Sequence, residues 1–420
     1  MAITPRGERL NICVVGKTNV GKSSIINKII GQNVSIISEQ AGTTTDAVSK
    51  RYELTPIGAV TFFDTPGYDD HTFLGEKRLA ATMKVLYKAD LAILVLDERG
   101  SNESDLKFIE ILKEINVPFF VVQNKVDLSL QRENLLSSTH KNNDESIVLP
   151  RDIHYQELST FIQYSDFLTF SIYTSDENVL KNKIISKLIV LKDANKTILK
   201  GLVEKKERVI LVIPIDSSAP KGRIILPQVQ VLREILDVGG IAICCTEKEL
   251  AETLSSLKKP PKVVITDSQV LNVVHKIIPE EISLTTFSIL FARYRGELET
   301  LLDGLRSLKE IKSEDYILIA EGCSHHKTCE DIGDVKIPMW LEQYLGFTPK
   351  ICRASGSDFP DVLSKIKLVI HCGACMQTRA EMLHRIDTCQ KQGVPITNFG
   401  MLISEMNGIL DRATKLFRGE

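Results

Sequence analysis

The sequence predicts the α/β class, laid out as three successive α/β domains with parallel sheets, the first the largest. Two observations predict it. Short aliphatic runs recur at 10–15, 208–214, 240–245, 262–267, 316–321 and 368–370, and stretches of helical periodicity such as 24–30, 228–238 and 341–345 fall between them. A chain of 420 residues also has room for two to four domains of roughly 100–200 residues each. The expected boundaries are 1–190, 200–285 and 286–420. A helix carrying Lys181, Lys183, Lys187 and Lys192 closes the first domain and runs into a linker near Asp193-Ala194-Asn195.

Composition narrows the function classes. Hydrophobic content of 43% and charged content of 25% are those of a globular protein. A net charge of −2 supplies no basic excess for nucleic acid, so no nucleic-acid partner is expected. No run reaches the roughly 18 apolar residues of a membrane span, and residues 1–9 lack the apolar core of a leader peptide. Nine cysteines without framework spacing suit a reducing, cytoplasmic setting in which some of them serve as ligands.

The first domain carries four motifs, each at a strand end. Gly16-Lys17-Thr18-Asn19-Val20-Gly21-Lys22-Ser23 lies between a strand and a helix that starts through Ser24. This is the P-loop spacing, in which backbone N–H groups and the helix N-terminus face phosphate. Lys22 would reach the β- and γ-phosphates and Ser23 would ligate Mg²⁺. Ala41-Gly42-Thr43-Thr44-Thr45-Asp46 offers a switch hydroxyl, and Thr44 is the chosen one. Asp64-Thr65-Pro66-Gly67 offers a carboxylate to Mg²⁺ through water and the Gly67 N–H to the γ-phosphate. Asn124-Lys125-Val126-Asp127 offers a carboxylate to guanine N1–H and its exocyclic amine, a pairing that adenine cannot match. Together these define a P-loop GTPase domain.

The set resembles the Era and TrmE type of GTPase. In that group an asparagine at the position of Asn19 accompanies a K⁺ ion beside the phosphates, which implies K⁺-stimulated hydrolysis; the alternative is that Asn19 only shapes the loop. Tyr68, rather than a glutamine, follows Gly67, so slow intrinsic hydrolysis is expected. The fifth motif of such domains is poorly matched by Ser171-Ile172-Tyr173. Residues 129–167 read as an insertion of unassigned use.

In the middle domain no catalytic constellation stands out. Its aliphatic run holds Cys244 and Cys245, which are expected in the core. A domain without a site suggests scaffolding or self-association.

The last domain holds two clusters of soft ligands. Cys323-Ser324-His325-His326 follows the strand ending at Glu321, and His371-Cys372-Gly373-Ala374-Cys375 follows the strand ending at Ile370. Both sit where open α/β sheets gather ligands. Cys₃His would satisfy structural zinc, whereas three cysteines would hold a 4Fe–4S cluster with one iron open to another ligand. Cys323, Cys372 and Cys375 are the natural three. His325, His371, Glu330 or an outside group could fill the fourth position, and Cys329 lies close by.

With these motifs in place, the whole chain resembles the HydF family of FeFe-hydrogenase maturation GTPases. Cys323-x-His325 and His371-Cys372-x-x-Cys375 match the family's cluster motif, and Asp216-Ser217-Ser218-Ala219-Pro220-Lys221-Gly222-Arg223 resembles its middle domain. The resemblance implies a GTP-hydrolysing scaffold with a 4Fe–4S cluster, GTP, Mg²⁺ and K⁺. It implies a homodimer or higher oligomer, a diiron subcluster precursor as cargo, and apo FeFe-hydrogenase and two radical-SAM maturases as partners. Two other readings stand beside it: an RNA-modification or ribosome-assembly GTPase with a structural zinc site, and a GTPase whose cysteines sense redox state.

Overall fold

A computed structural model describes residues 6–31, 47–69, 73–127, 158–194, 197–215, 221–322, 332–356 and 358–417. Thr44, Cys323, His325, His326, Cys329 and Glu330 lie outside them, as do residues 128–157 of the insertion and 216–220 of the middle-domain loop. The chain divides into two compact units, 1–195 and 196–420.

The first unit is built on six strands: β1 (Leu10–Gly16), β2 (Val48–Leu54), β3 (Gly58–Asp64), β4 (Leu91–Leu96), β5 (Phe119–Gln123) and β6 (Phe167–Thr169). Their order is β2-β3-β1-β4-β5-β6, with β2 antiparallel to β3 and the other pairs parallel. Among the described residues four α-helices accompany them: α1 (Lys22–Ile30), α2 (Phe73–Leu86), α3 (Glu103–Glu114) and α4 (Glu177–Ala194). Alternation along β1 explains why both faces are covered. Ile12 and Val14 join one apolar cluster while Cys13 and Val15 join the other, as the period of two requires. Helix α3 starts on a reciprocal cap: Asn102 Oδ1 accepts from the N–H groups of Ser104 and Asp105, and Asp105 Oδ2 accepts from the Asn102 N–H.

The second unit carries two four-stranded sheets in which every pair is parallel. The first contains β7 (Arg208–Val212), β8 (Ile241–Cys245), β9 (Val263–Thr266) and β10 (Ser283–Thr286), in the order β10-β9-β7-β8. Helices α5 (Leu226–Asp237), α6 (Leu250–Ser256) and α7 (Leu271–Ile277) connect them. After α8 (Phe287–Arg295) and α9 (Leu298–Arg306) comes the second sheet: β11 (Tyr316–Glu321), β12 (Lys350–Ser355), β13 (Ile366–His371) and β14 (Ile396–Asn398), in the order β12-β11-β13-β14. Helix α10 (Ile337–Leu345) precedes β12, α11 (Arg379–Lys391) joins β13 to β14, and α12 (Phe399–Met406) and α13 (Leu410–Thr414) follow. The fold class is therefore as expected, a P-loop domain followed by α/β layers with parallel sheets.

One apolar core runs through both sheets of this unit. It includes Val209 and Leu211 of β7, Ile317 and Ile319 of β11, and Leu368 and Ile370 of β13. Helix α8 joins them, touching α5 and β10 on one side and α11, α12 and β14 on the other. Its Phe287, Ile289, Leu290, Phe291 and Ala292 are all buried, so it is apolar around most of its circumference rather than along one stripe.

Cys244 and Cys245 do not behave as expected. Cys244 is exposed and Cys245 half-buried. The reason is strand order: β8 is an edge strand, and Ile241 at its start is 44% exposed. An aliphatic run cannot by itself tell a central strand from an edge one.

At one point helix and strand meet without room for a side chain. A Cβ on Gly304 of α9 would overlap the Ile396 carbonyl at the start of β14. Gly304→Ala is expected to lower stability by about 1–3 kcal/mol, the usual cost of overpacking, read as an earlier denaturant midpoint of the second unit. An unchanged midpoint would contradict this packing.

Candidate functional site

Two sites emerge, one in each unit. In the first, parallel pairing sets the loops that follow β1, β3 and β5 along one rim. Val14 of β1 is in register with Asp64 of β3, and Leu96 of β4 with Gln123 of β5. These loops and the turn after β6 line a cavity of about 630 Å³. Thr18, Asn19, Gly21, Lys22, Ser23 and Ser24 enter it from the P-loop, Asp64 to Gly67 from the end of β3, and Asn124, Lys125 and Asp127 from the end of β5. Three of the four motifs thus meet; Thr44 of the other lies outside the described residues. Ile172 and Tyr173 also line the cavity, so the weakly matched Ser171 segment sits where its motif belongs.

The internal bonds of the rim are informative. Lys22 Nζ donates to the Gly16 and Lys17 carbonyls, at 3.0 and 2.6 Å, which holds its ammonium inside the curl of the loop. Burial lowers its pKa, while Asp64 and Asp69 pull it back up. Asn124 Nδ2 donates to the Val20 carbonyl at 2.9 Å, and Lys125 Nζ to the Asn19 carbonyl at 2.6 Å. The Asn-Lys-x-Asp turn therefore braces the P-loop. Asn124 Oδ1 and Asp127 Oδ1 are buried with no hydrogen-bond partner. An orphaned buried carboxylate oxygen is costly unless a ligand supplies the donor. A ring N–H and an amine, as on guanine, are such donors.

Sequence reasoning missed a second set of contacts around the P-loop. Asp69 Oδ1 accepts from the Thr18 N–H and from Thr18 Oγ1, at 2.8 and 2.9 Å. Lys17 Nζ donates to Asp105 Oδ2 and Tyr68 Oη to Asp105 Oδ1, both at 2.5 Å. The Tyr68 ring stacks on Phe108, with centroids 4.2 Å apart. No local pattern signals these pairs, because each joins residues more than thirty positions apart.

The second site lies at the carboxyl ends of β11 and β13. These strands are adjacent and parallel, with Ala320 in register with His371. The next strand after β11 lies to one side of it and β13 to the other, so the strand order reverses between them, and the crevice outside such a switch point is where open sheets take ligands. The Gly322 N–H donates to Cys372 Sγ at 3.1 Å, and the Ala374 N–H to the same sulfur at 3.4 Å. Ala374 adopts φ +54°, which tightens the turn between the two thiols. Burial, then the neighbouring Cys375, push the Cys372 thiol up to about 11; burial also raises Cys375, against the pull of Arg295. Among the described residues no group of three or more His, Cys, Asp or Glu side chains is arranged to hold a metal ion. The third thiol, Cys323, directly follows Gly322 and lies outside them.

His371 departs from the expectation that it is free to act as a ligand. The residue is fully buried. Its Nδ1 lies 2.8 Å from the Cys372 carbonyl and its Nε2 2.8 Å from an Arg385 guanidinium nitrogen. Both ring nitrogens are used inside the protein, with Nδ1 as donor and Nε2 as acceptor. Burial first, then Arg385, lower its pKa to about 3 and keep the ring neutral. Arg385 also donates to the Gly356 carbonyl and to Glu381, so the ring is fixed from behind.

Family models match in sequence order. A 50S ribosome-binding GTPase model matches residues 11–125, a hydrogen maturase F dimerization domain 198–296, and a hydrogen maturase F tetramerization domain 299–416. The chain belongs to the HydF family. Relatives of this HydF-family chain include GTPase Der of Clostridium perfringens, 32% identical over 208 residues that cover 46% of the chain and 47% of Der. GTPase Der of Clostridium botulinum is 38% identical over 126 residues, 29% of the chain and 28% of Der. The chain spans about half the length, or less, of the curated relatives it matches. Among solved structures, Era in complex with MgGDPNP and a segment of 16S ribosomal RNA is 26% identical, with a TM-score of 0.32, covering 43% of this chain and 55% of that one. Among the described residues no helix is long and apolar enough to cross a membrane.

The orphaned Asp127 oxygen yields a direct test of base recognition. Asp127→Asn is expected to weaken GTP binding about 10- to 100-fold, from the ~1.5–3 kcal/mol of a hydrogen bond to a charged group, and to leave ATP binding as weak as before. Titration with both nucleotides measures it, and equal GTP affinity in the variant would remove Asp127 from base recognition.

Proposed function

We propose that this protein is a GTP-hydrolysing scaffold that binds a 4Fe–4S cluster and assembles and delivers the diiron subcluster precursor to apo FeFe-hydrogenase. The observation that carries this reading is the junction at the β11–β13 switch point, where the residue before Cys323 donates its N–H to the sulfur of Cys372. Adjacent parallel strands bring Gly322, the residue before Cys323 in the chain, to Cys372, and amide N–H groups aimed at a sulfur stabilise its thiolate form.

The donor set fits such a group. Cys372 and Cys375 sit on one tight turn, half-buried rather than sealed in the core. Their raised pKa values mean that they hold protons until a cation displaces them. Cys323, Cys372 and Cys375 would hold the cluster, and when bound it would supply one iron lacking a thiolate, a place for exchangeable cargo. With both His371 nitrogens engaged, that residue serves to orient Cys372. His325 and Glu330 remain as protein candidates for the fourth position. The dimerization and tetramerization domains support a homo-oligomer. The two radical-SAM maturases and the apo-hydrogenase are the partners this reading requires.

For the nucleotide site, Lys22 would neutralise the β- and γ-phosphates, Ser23, Thr44 and Asp64 would serve Mg²⁺, and Gly67 would offer its N–H to the γ-phosphate. Nucleotide state would act through the switch segments on contacts with partners. The ribosome-assembly alternative draws on the GTPase model at residues 11–125; residues 198–296 and 299–416 match hydrogen maturase domains.

Anaerobic reconstitution with iron and sulfide, followed by EPR of the reduced protein, tests the scaffold. A 4Fe–4S signal is expected in the unaltered chain and is expected to be lost in Cys323→Ala, Cys372→Ala and Cys375→Ala. Lys22→Ala should abolish GTP hydrolysis and keep the signal. Stoichiometric zinc with no cluster would sink the proposal. Potassium has its own measurement: with Asn19 exposed on the P-loop, hydrolysis should run faster in K⁺ than in Na⁺, and equal rates would remove the ion from the mechanism.

A further inference from the structure

Segment 67–69 is fastened to the P-loop more closely than a nucleotide site requires. A Cβ on Gly67 would overlap both Thr18 Oγ1 and the Thr18 nitrogen, so the two backbones are in contact. Tyr68 is held to one side by its hydrogen bond to Asp105 and its stacking on Phe108. Asp69 closes the other side by accepting both Thr18 donors through one oxygen. Two neighbouring P-loop residues thus each engage an acid: Lys17 binds Asp105 and Thr18 binds Asp69. Asp105 is buried in the first turn of α3 and belongs to its cap, whereas Asp69 is partly exposed and bound to Thr18, one of the residues that line the cavity.

Backbone N–H groups of a P-loop are anion donors. Here one of them is already spent on an internal carboxylate. Burial alone would raise the pKa of Asp69, yet the Thr18 hydrogen bonds and the charge of Lys22 hold it below the usual carboxylate range. It is therefore an anion near neutral pH, within the field of the lysine that a terminal phosphate would also use. A γ-phosphate entering beside Gly67 and Lys22 meets a like charge and must displace it. A diphosphate carries no group to that position.

We propose that Asp69 is a specificity-determining residue for nucleotide state, an internal competitor of the γ-phosphate that biases the site towards GDP. This rests on the GTP-binding reading above and on no property of the thiol site. The docked segment lowers apparent GTP affinity by the fraction of molecules in which it is released, and leaves GDP affinity nearly unchanged.

Titration of the full chain with fluorescent GDP and with a non-hydrolysable fluorescent GTP analogue, in Mg²⁺, tests it. Asp69→Ala is expected to raise affinity for the GTP analogue about tenfold, the effect of freeing a state populated roughly one part in ten. GDP affinity should stay within about twofold of the unaltered chain, which also reports that the variant folds. Asp69→Asn keeps an acceptor for Thr18 and removes the charge, so a smaller gain in the same direction is expected. An unchanged GTP-to-GDP affinity ratio in Asp69→Ala, or a loss of GTP affinity, overturns the proposal. If the unaltered chain binds neither nucleotide, the reading on which the proposal rests is overturned with it.

Discussion

Parallel strand pairing is the constraint on which both sites depend. In a parallel sheet every strand delivers its carboxyl end to the same rim, and the return path must cross a face. In the first unit this puts the loop after Gly16, the carboxylate of Asp64 and the turn at Asn124 on one edge, although more than a hundred residues separate the first from the last. In the second unit it puts Gly322 against Cys372 across fifty residues. Neither site needs long-range recognition between its loops. The register of buried aliphatic strands, which a one-residue slip would turn inside out, fixes the loops in place.

The thiol rim also shows why a buried polar group needs complete pairing. His371 ends β13 in a position closed to water, and its imidazole is tolerated because each nitrogen meets a partner. The Arg385 guanidinium behind it is almost as buried and is met in turn by His371, the Gly356 carbonyl and the Glu381 carboxylate. Removing one member of such a set leaves another unsatisfied at a cost of about 1–3 kcal/mol, more for the charged one. The His371 ring is thus a rigid strut under the Cys372 backbone, a use that explains a histidine beside a cysteine without making it a ligand.

What could be read from residue order was whatever is local. The P-loop spacing, the strand-end carboxylates and the Cys-x-x-Cys turn are short, and their positions at strand ends follow from aliphatic runs a few residues long. Strand order was not legible, and that is why Cys244 and Cys245 were expected in the core: Ile241 to Cys245 looks like a central strand and lies at an edge. The shared core of the second unit was equally hidden, because α8 reads as the start of something new and in fact packs against elements on both sides. The Asp69–Thr18 and Tyr68–Asp105 contacts depend on two loops closing on each other, and a lone aspartate or tyrosine after a glycine carries no mark of its eventual partner. The role of His371 turned on Arg385, fourteen positions away on another element.

The two sites are separate in their chemistry. Among the described residues, the groups that hold Lys22, Asn124 and Asp69 all lie in the first unit, and those that hold Cys372 and His371 all lie in the second. Under the proposed reading, nucleotide state would act by changing which surfaces the first unit presents. Residues 67–69 suit that role, because the contacts that clasp them to the P-loop involve the same Thr18 donors and Lys22 charge that a terminal phosphate would claim. Releasing Asp69 frees a segment that leads directly into α2, while the strand register beneath it stays as it was. A rigid rim with one exchangeable clasp gives two discrete arrangements rather than a continuum, and two discrete arrangements are what a ligand needs if it is to favour one over the other.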